Sequence, residues 1–448
     1  MQQNVALLDE VNYLVEWPEV FLGSFDERFL TLPKEVLTLT MNQHQKCFAL
    51  LNADGQLQAK FLGVSNLKSR NVAQLIAGNE RVMRARLSDA LFFYEQDKKQ
   101  TLISRISSFD AIIDHERLGS MAMRIERVNQ IMAQLNAQTS SGFEPIQDEY
   151  ALCKADLLTE TVGELPEVEH LMGYYFAIEE GLPQSLALTI RDHAKPVTPD
   201  DQLPESQRAA WISIAERVER IVAFYSVGLP PKSDKDPYGI KRYATGLVRL
   251  CVEGGWSFDC SHTMANALKL FPNKAGVSVS TMTTFINERL KTYALSQGVS
   301  HDVIQSVTSI DAGNIYDQWL RMKSITQWLN DDEALAFLAV YKRLTSLVKH
   351  QHTNGDGAPE SDADEEMLRH CLAVTSEVQS HIEQGQYLTA LMSLAASHTV
   401  WTDYLDHVHI MADDPEVALY RCHLVQLMVK HCQTFADLRF LHLDKAKV

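Results

Sequence analysis

Apolar residues recur at helical spacing along most of the chain, from about residue 79 to the C-terminus. In the segment 211–225, one helix face is apolar and the opposite face carries Glu216, Arg217, Glu219 and Arg220. The segment 334–349 has an apolar stripe opposite Lys342, Ser346 and Lys349, and the segment 417–435 repeats apolar residues as a packed bundle helix does. The chain is therefore predicted to be mainly α-helical.

The first third has a different pattern, in which short apolar runs alternate with turns. Residues 20–22, 47–51 and 61–64 have the composition of strands, and the turn Asn52-Ala53-Asp54-Gly55 separates the last two runs. Two such runs joined by a short turn containing Asn and Gly are typical of a β-hairpin. A small α/β region is therefore predicted ahead of the helical part.

The charge is uneven along the chain. The formal net charge of -17 repels a polyanion on average, so nucleic-acid binding requires local basic surface. Nine Lys or Arg stand against four Asp or Glu between Lys60 and Arg105, and five against two between Lys232 and Arg249. In contrast, the segment 356–366 carries six acidic residues in a Gly, Pro and Ser context, which predicts a solvated loop.

Several classes of protein are disfavoured by the sequence. There is no secretory signal and no apolar run long enough to span a bilayer, which favours a cytoplasmic protein. Seven scattered cysteines without a CxxC pair predict reduced, partly buried thiols. GxxxxGK[ST], GxGxxG, GxSxG and HExxH are absent. The single His-Asp dipeptide, His301-Asp302, is predicted to begin a helix, so no metal site is expected.

The segment 229–238 is the most informative stretch. It reads Leu-Pro-Pro-Lys-Ser-Asp-Lys-Asp-Pro-Tyr, and Asp236 is predicted to cap a helix that has Pro237 at its first position. Such a loop can present lysines to phosphates, and the following helix places Arg242 and Arg249 on one face. The alternative is an ordinary capped helix whose basic residues pair with neighbouring acids.

The same segment resembles a signature of bacterial glycyl-tRNA synthetase β subunits, which have a Gly-Ser-Lys-Asp-Pro-like loop followed by a basic helix. Further blocks resemble the family in the right order, so that the resemblance covers nearly the whole chain: Val15-Glu16-Trp17-Pro18, Met41 to Phe48, Gly78 to Val82, Arg84 to Ala90, Lys154 to Leu157, Met172-Gly173, Lys232 to Leu250 and Tyr341 to Leu344.

The resemblance implies a domain order. Residues 1–110 would form an α/β region continuing from an N-terminal part of the family that is missing here. Residues 111–310 would form a helical domain similar to HD-type phosphohydrolases, and residues 311–448 a helical-bundle anticodon-binding domain.

The resemblance also implies a function without an active site in this chain. The β subunit would position tRNA(Gly) for glycylation, while the companion α subunit uses ATP and Mg²⁺ in an α2β2 assembly; neither a membrane nor DNA is an expected partner. The residues expected to bind tRNA are basic and lie in three segments. They are Arg81, Arg84 and Arg86; Lys232, Lys235, Arg242 and Arg249; and Lys342, Arg343 and Lys349.

Departures from the family pattern leave an alternative function open. The chain begins almost at the Glu-Trp-Pro block, and Glu216 and Glu219 stand in a segment where the family has Ala-Asp-Lys-x-Asp. A truncated paralogue that binds RNA or a protein without supporting aminoacylation would explain both departures. The basic residues of the first and second segments could equally contact the α subunit or stabilise domain packing.

Overall fold

A computed structural model of the protein describes residues 4–139, 143, 146–232, 235–272, 276–310, 313–348 and 359–442. The chain forms two compact units. The first consists of Met1–Asn129, Phe143–Lys195 and Pro204–Ser213, and the second of Gln130–Gly142, Pro196–Leu203 and Ile214–Val448. Helices predominate in the described residues, which confirms the mainly α-helical prediction. The domain boundaries near residues 110 and 310, and the HD-like and anticodon-binding assignments, stay predictions.

The first unit contains a three-stranded antiparallel sheet in the order β1-β3-β2, formed by β1 (Glu19–Ser24), β2 (Phe48–Leu51) and β3 (Leu57–Ser65). Strands β2 and β3 form the predicted hairpin. The Asn52 side chain closes its turn by accepting hydrogen bonds from the backbone N–H groups of Asp54 and Gln56, at 3.0 and 2.8 Å. A two-stranded antiparallel pair follows, β4 (Ile113–His115) and β5 (Gly119–Ser120).

Two glycines let aromatic rings cover the sheet. In the register of β1 and β3, Gly23 lies opposite Phe61 and Phe21 lies opposite Gly63. A Cβ atom on Gly23 would lie 2.4 Å from the Phe61 ring, and one on Gly63 would lie 2.2 Å from the Phe21 ring. The two rings contact each other edge to face, with centroids 6.4 Å apart. Both rings are buried and form the core under this face of the sheet.

The helices in the first part of the chain have the following bounds: α1 (Val5–Leu14), α2 (Lys34–Gln45), α3 (Val72–Asp97), α4 (Leu102–Arg105), α5 (Met121–Thr139), α6 (Glu149–Lys154), α7 (Glu160–Glu164), α8 (Leu171–Glu179), α9 (Gln184–Asp192) and α10 (Gln207–Ser226). The second unit continues with α11 (Ile240–Gly254), α12 (Cys260–Leu268), α13 (Val279–Ser296), α14 (His301–Thr308), α15 (Ile315–Trp328), α16 (Asp332–Val348), α17 (Asp362–Glu383), α18 (Tyr387–Ala396), α19 (His398–His407) and α20 (Pro415–Phe435).

Helix α10 is confirmed. Its amphipathic pattern predicts an exposed polar face, but this face is buried. Glu216, Arg217, Glu219 and Arg220 are all buried. Arg220 forms an ion pair with its neighbour Glu219 at 2.8 Å, and Arg217 donates a hydrogen bond to the carbonyl oxygen of Pro196 at 2.8 Å. Buried charges persist where ion pairs and carbonyl groups satisfy them. The charged stripe of α10 therefore belongs to the interior.

Helix α16 is confirmed with the predicted apolar stripe, because Phe337, Tyr341 and Leu344 are fully buried. The seven cysteines are buried and unpaired, as predicted for reduced thiols. None of the helices in the described ranges combines the length and the apolar character required to cross a membrane.

The acidic segment 356–366 is not a solvated loop throughout. Residues 356–358 lie outside the described residues, but α17 begins at Asp362 and Asp364 is fully buried. The Asp364 carboxylate accepts hydrogen bonds from the backbone N–H groups of Glu360 and Ser361, as the acid of a capping box does. The prediction of a loop was wrong because it used only the composition of the segment. The segment also contains the capping-box pattern Ser361-x-x-Asp364, which marks the start of a helix.

Asp364 is the centre of a buried ion pair in the second unit. Arg421 of α20 donates from Nε and Nη2 to the two carboxylate oxygens of Asp364, at 3.0 and 3.1 Å. The Tyr404 hydroxyl donates to the same carboxylate at 2.5 Å, and Arg421 also binds Glu360 at 2.8 Å. These bonds join the start of α17 to α19 and α20. Burial alone would raise the pKa of Asp364, but the hydrogen bonds from Arg421 and Tyr404 outweigh burial and hold that pKa below its usual value.

Replacing Arg421 with methionine is expected to lower the free energy of unfolding by about 3–5 kcal/mol, because it leaves the Asp364 charge buried without its cation. Urea-induced unfolding followed by fluorescence, to which the buried Trp401 contributes, measures this loss.

Arg343→Met is the matched control, because it removes an exposed ion pair with Asp406 whose contribution is about 0–1 kcal/mol. Equal losses for the two variants would show that the buried pair contributes no more than a surface contact.

Candidate nucleic-acid interface

Helix α3 carries the first group of predicted RNA-binding residues. It begins at the Asn71 cap, whose side chain accepts a hydrogen bond from the backbone N–H of Gln74 at 3.1 Å. Apolar residues at spacings of three and four form its buried face: Met83, Leu87, Ala90 and Tyr94. A 26-residue helix with one buried face presents the opposite face to solvent as a rigid surface.

Two carboxylates attach α3 to its neighbours in the first unit. Glu80 accepts hydrogen bonds from the backbone N–H and the hydroxyl of Ser24 in β1, at 2.8 and 2.7 Å. At the C-terminal end of the helix, the buried Asp97 accepts from the N–H groups of Glu160 and Thr161, both at 2.9 Å, and from the Thr161 hydroxyl at 2.7 Å. Arg105 lies 3.6 Å from the same carboxylate. The helix is therefore attached by side chains at Glu80, more than two turns after its start, and at its last residue.

Arg81, Arg84 and Arg86 are all exposed, and none of them forms an ion pair or a side-chain hydrogen bond with another residue in the described ranges. Arg81 and Arg84 are three residues apart and share a side of the helix, whereas Arg86 is two residues beyond Arg84 and faces away from it. The structure thus places the three arginines on two sides of α3.

Further exposed cations lie near α3 that are not among the predicted RNA-binding residues. Lys60, Lys68 and Arg70 are exposed and make no ion pair within the part of the chain that the structure describes. By contrast, Lys98 lies 3.4 Å from Glu95 and Arg105 is buried. The sequence contains a signal for Lys60, Lys68 and Arg70, because they belong to the basic island between residues 60 and 105.

The second group lies in the proline-containing loop and in helix α11 of the second unit. Lys232, Lys235 and Arg242 are exposed, and the backbone N–H of Lys232 donates to the carbonyl oxygen of Lys235 at 2.9 Å. The Asp236 carboxylate accepts from the N–H groups of Ile240 and Lys241, each at 2.8 Å, so Asp236 does satisfy the start of α11.

The predicted start of that helix was wrong by three residues. Pro237 is not the first helical residue, because Pro237 and Tyr238 form a turn and α11 begins at Ile240. Gly239 precedes the helix with φ of 66°, a left-handed conformation that glycine adopts readily. Asp236 therefore reaches the helix N-terminus across the turn.

Arg249 differs from the rest of its group. Its guanidinium binds both carboxylate oxygens of Glu253, at 2.7 and 3.0 Å, and donates to the carbonyl oxygens of Thr198 and Asp201 at 3.3 and 2.8 Å. The Glu253 hydrogen bonds raise the pKa of Arg249 above its usual value. With its donors engaged, Arg249 orders the segment 198–201, in line with the alternative of pairing with nearby acids.

The third group lies on α16. Lys342 is half-buried, and Arg343 is exposed and lies 3.3 Å from Asp406, with both side chains more than half accessible to solvent. Arg343 also donates to the carbonyl oxygen of Leu405 at 3.3 Å. Lys349 lies outside the described residues. An exposed ion pair of this kind is weak and exchanges readily for a phosphate.

Comparison with known proteins decides the family. Residues 1–309 match the profile of the family described as glycyl-tRNA synthetase beta subunit. The chain is 34% identical over 442 residues to a glycine–tRNA ligase beta subunit of Neisseria meningitidis, covering 97% of this chain and 64% of that protein. The chain belongs to the glycyl-tRNA synthetase beta subunit family.

Two other relatives in this family give the same result. Beta subunits from Janthinobacterium sp. and Delftia acidovorans are 34% and 33% identical to the chain, covering 92% and 97% of it. The chain spans 60% of the length of the first and 63% of the second. The resemblance inferred from ordered sequence blocks is thereby confirmed.

The His301-Asp302 dipeptide lies at the start of a helix, as predicted. His301 begins α14, and Asp302 accepts hydrogen bonds from the Ser300 hydroxyl, the N–H of Val303 and the N–H of His442. Within the described ranges, no three His, Cys, Asp or Glu side chains are grouped so that they could hold a metal ion.

A buried Asp-His cluster lies in the first unit. Asp156 is fully buried, and its Oδ2 accepts from the N–H groups of His170 and Gly173, at 2.5 and 3.0 Å, while Oδ1 has no hydrogen-bond partner among the described residues. The rings of His170 and His193 contact each other edge to face at 4.4 Å. His170 has a φ of 70°, which is strained for a residue with a Cβ atom.

Burial raises the pKa of Asp156 to about 6, despite the hydrogen bonds from Gly173 and His170 that lower it. The carboxyl group therefore keeps its proton over a pH range in which the unfolded chain has lost it, since an ordinary Asp has a pKa of ~3.9. The protonated Asp156 side chain therefore stabilises the folded protein below about pH 4, and this stabilisation disappears as the pH rises through about 6.

Asp156→Asn is expected to remove this pH dependence. Relative to the variant, the wild-type protein should lose stability between about pH 4 and pH 6, by on the order of 3 kcal/mol for two pKa units, and no further above that range. Urea unfolding of both proteins at half-unit pH intervals measures the difference. If the free energy of unfolding changed with pH in the same way in both proteins, folding would not raise the pKa of Asp156.

Proposed function

We propose that this protein is the tRNA-binding part of a glycyl-tRNA synthetase, positioning tRNA(Gly) while a companion α subunit uses ATP and Mg²⁺ to form the glycyl ester. The observation that carries the proposal is the similarity to glycine–tRNA ligase beta subunits over 97% of the chain. The chain contributes binding and orientation, and two copies of each subunit assemble in the cytoplasm.

The distribution of charge supports an RNA-binding role. An acidic protein binds RNA only where cations are not neutralised by neighbouring acids, and within the described residues six such cations lie on α3 or ahead of it in the chain: Lys60, Lys68, Arg70, Arg81, Arg84 and Arg86. Because α3 is attached at Glu80 and at Asp97, on either side of its arginines, these arginines meet phosphates without ordering the backbone first. Lys232, Lys235 and Arg242 form a second basic surface, and Lys342 with Arg343 a third.

The double variant Arg81→Gln, Arg84→Gln is expected to weaken tRNA(Gly) binding and to flatten its salt dependence. Each phosphate contact contributes a slope of roughly -0.7 to -0.9 in log K against log salt, so two lost contacts reduce the slope by about 1.4 to 1.8. Charge reversal at Lys342 and Arg343 should act in the same direction. Filter binding at several salt concentrations measures both effects.

The control is Lys98→Gln, Lys99→Gln, which makes the same change in net charge next to the end of α3. Both lysines follow the last residue of α3, and the 14 positions from Arg84 to Lys98 place them roughly 20 Å along the helix from the two arginines, so their loss should leave the slope nearly unchanged. An unchanged slope in the α3 variant, or in the α16 variant, removes that group from the interface.

The proposed role in synthesis is tested with the companion subunit. An affinity-tagged copy of the chain should retain the glycyl-tRNA synthetase α subunit, and the mixture should attach labelled glycine to tRNA(Gly), whereas the α subunit alone should not. Charging is measured by acid-precipitable label. Retention of tRNA together with failure to support charging, under conditions in which a full-length β subunit succeeds, would favour the non-charging paralogue instead.

A further inference from the structure

Strand β1 is an edge strand of the three-stranded sheet in the first unit. Within the described residues, it pairs with β3 alone. The N–H of Phe25, just past the end of β1, donates to the carbonyl oxygen of Ala59 at 3.1 Å. Because backbone groups alternate in direction along an antiparallel strand, the odd-numbered residues of β1 bond to β3. The even-numbered residues Val20, Leu22 and Ser24 therefore direct their N–H and C=O groups outward.

The open part of this edge is short and has defined ends. The outward N–H of Ser24 already donates to the Glu80 carboxylate at 2.8 Å. Pro18, just ahead of the strand, has no N–H to donate. Between them, the outward groups of Val20 and Leu22 have no hydrogen-bond partner in the part of the chain that the structure describes. Two residues of β1 are thus available to pair with another strand.

The side chains along the open edge are apolar and exposed. Val20 and Leu22 are 65% and 50% accessible to solvent. In the register with β3 they lie opposite Val64 and Leu62, which pack against buried residues of α1 and β2. Helix α1 therefore covers this face of the sheet over β3 and β2 and leaves β1 uncovered. Proteins usually protect such an edge with a charged residue at its centre, because it is a template for strand pairing.

The open edge is complementary to itself. When a second copy lies antiparallel to the first, with a two-fold axis at Phe21, Val20 of each copy lies opposite Leu22 of the other. Each of these pairs exchanges two backbone hydrogen bonds, and the four apolar side chains form one continuous strip. Glu19 lies opposite Gly23 in this register, so no like charges meet along the strands.

The neighbouring registers leave backbone groups without partners. An axis at Leu22 places Val20 opposite Ser24, whose N–H is already engaged. An axis at Val20 places Leu22 opposite Pro18, which cannot donate. The axis at Phe21 is the register in which all the open groups pair, and there Pro18 meets Ser24, so that the ladder ends without losing a donor.

We propose that two copies of this chain form a two-fold dimer through β1, in which their three-stranded sheets join into one continuous sheet. Trp17, which is 63% exposed and whose N–H donates to the Asn66 side chain at 3.2 Å, lies at the end of the shared ladder and enlarges the contact. The proposal goes beyond the tRNA-binding role, because it gives two copies a contact that does not require the companion subunit.

The test is the oligomeric state of the full chain, measured by sedimentation velocity. A ladder this short buries less than the ~1,200 Å² of a stable interface, so the wild-type dimer should dissociate at micromolar concentrations. The double variant Val20→Lys, Leu22→Lys places like charges opposite each other and should weaken the dimer about tenfold or more. In the wild-type protein, hydrogen exchange at the N–H groups of Val20 and Leu22 should slow as the protein concentration rises.

The matched control is Ile103→Lys, Ile113→Lys, which makes the same change in charge at residues of the first unit that are 60% and 74% exposed and lie outside β1. This variant should dimerise as the wild-type protein does. Urea unfolding of both variants shows that they are folded, since all four replaced side chains are exposed.

A wild-type protein that stays monomeric at about a hundred times micromolar concentration, where even a weak dimer forms, overturns the proposal and leaves the tRNA-binding role standing. A dimer that persists in the β1 variant overturns it as well, because the copies then meet through another surface. If the wild-type protein is monomeric and the β1 variant alone fails to retain the α subunit, the edge belongs to that subunit instead.

Discussion

The attachment of α3 on either side of its arginines is the constraint on which the proposed interface depends. Glu80, which precedes these arginines, binds the backbone and hydroxyl of Ser24, and Asp97, the last residue of the helix, binds the N–H groups at the start of α7. Both carboxylates use backbone partners, so the position of α3 does not depend on a second flexible side chain. The exposed arginines Arg81 and Arg84 therefore lie on a part of α3 whose position is fixed.

Hydrophobic periodicity predicted the elements of this fold well but predicted their surroundings less well. The hairpin, α10, α16 and α20 lie where the apolar spacing placed them. The polar face of α10 is nevertheless buried. Arg220 pairs there with its sequence neighbour Glu219, but Arg217 binds the carbonyl group of Pro196, 21 residues away. Asp364 is similar, since the arginine that makes its burial tolerable comes from α20, 57 residues away. One-dimensional patterns contain no information about such distant partners.

The same limit applies to the interface residues. Cations were chosen by local density and by family resemblance, and Arg81 and Arg84 are exposed as that choice requires. Arg249 was chosen on the same grounds, yet its donors are engaged by Glu253 and by two carbonyl groups. The sequence shows that Glu253 follows Arg249 by four residues. It does not show that the carbonyl groups of Thr198 and Asp201 lie within hydrogen-bond distance of Arg249.

The crossed Phe-Gly pairs of the sheet have a consequence for how this family can change. Since each ring occupies the space above the glycine on the opposite strand, Gly23 and Phe61, and likewise Phe21 and Gly63, form reciprocal units rather than four independent positions. If alanine replaces either glycine, the facing phenylalanine must also be replaced by a smaller residue. Substitutions at these sites should therefore be inherited as correlated pairs, recognisable as covariation between residues about forty positions apart.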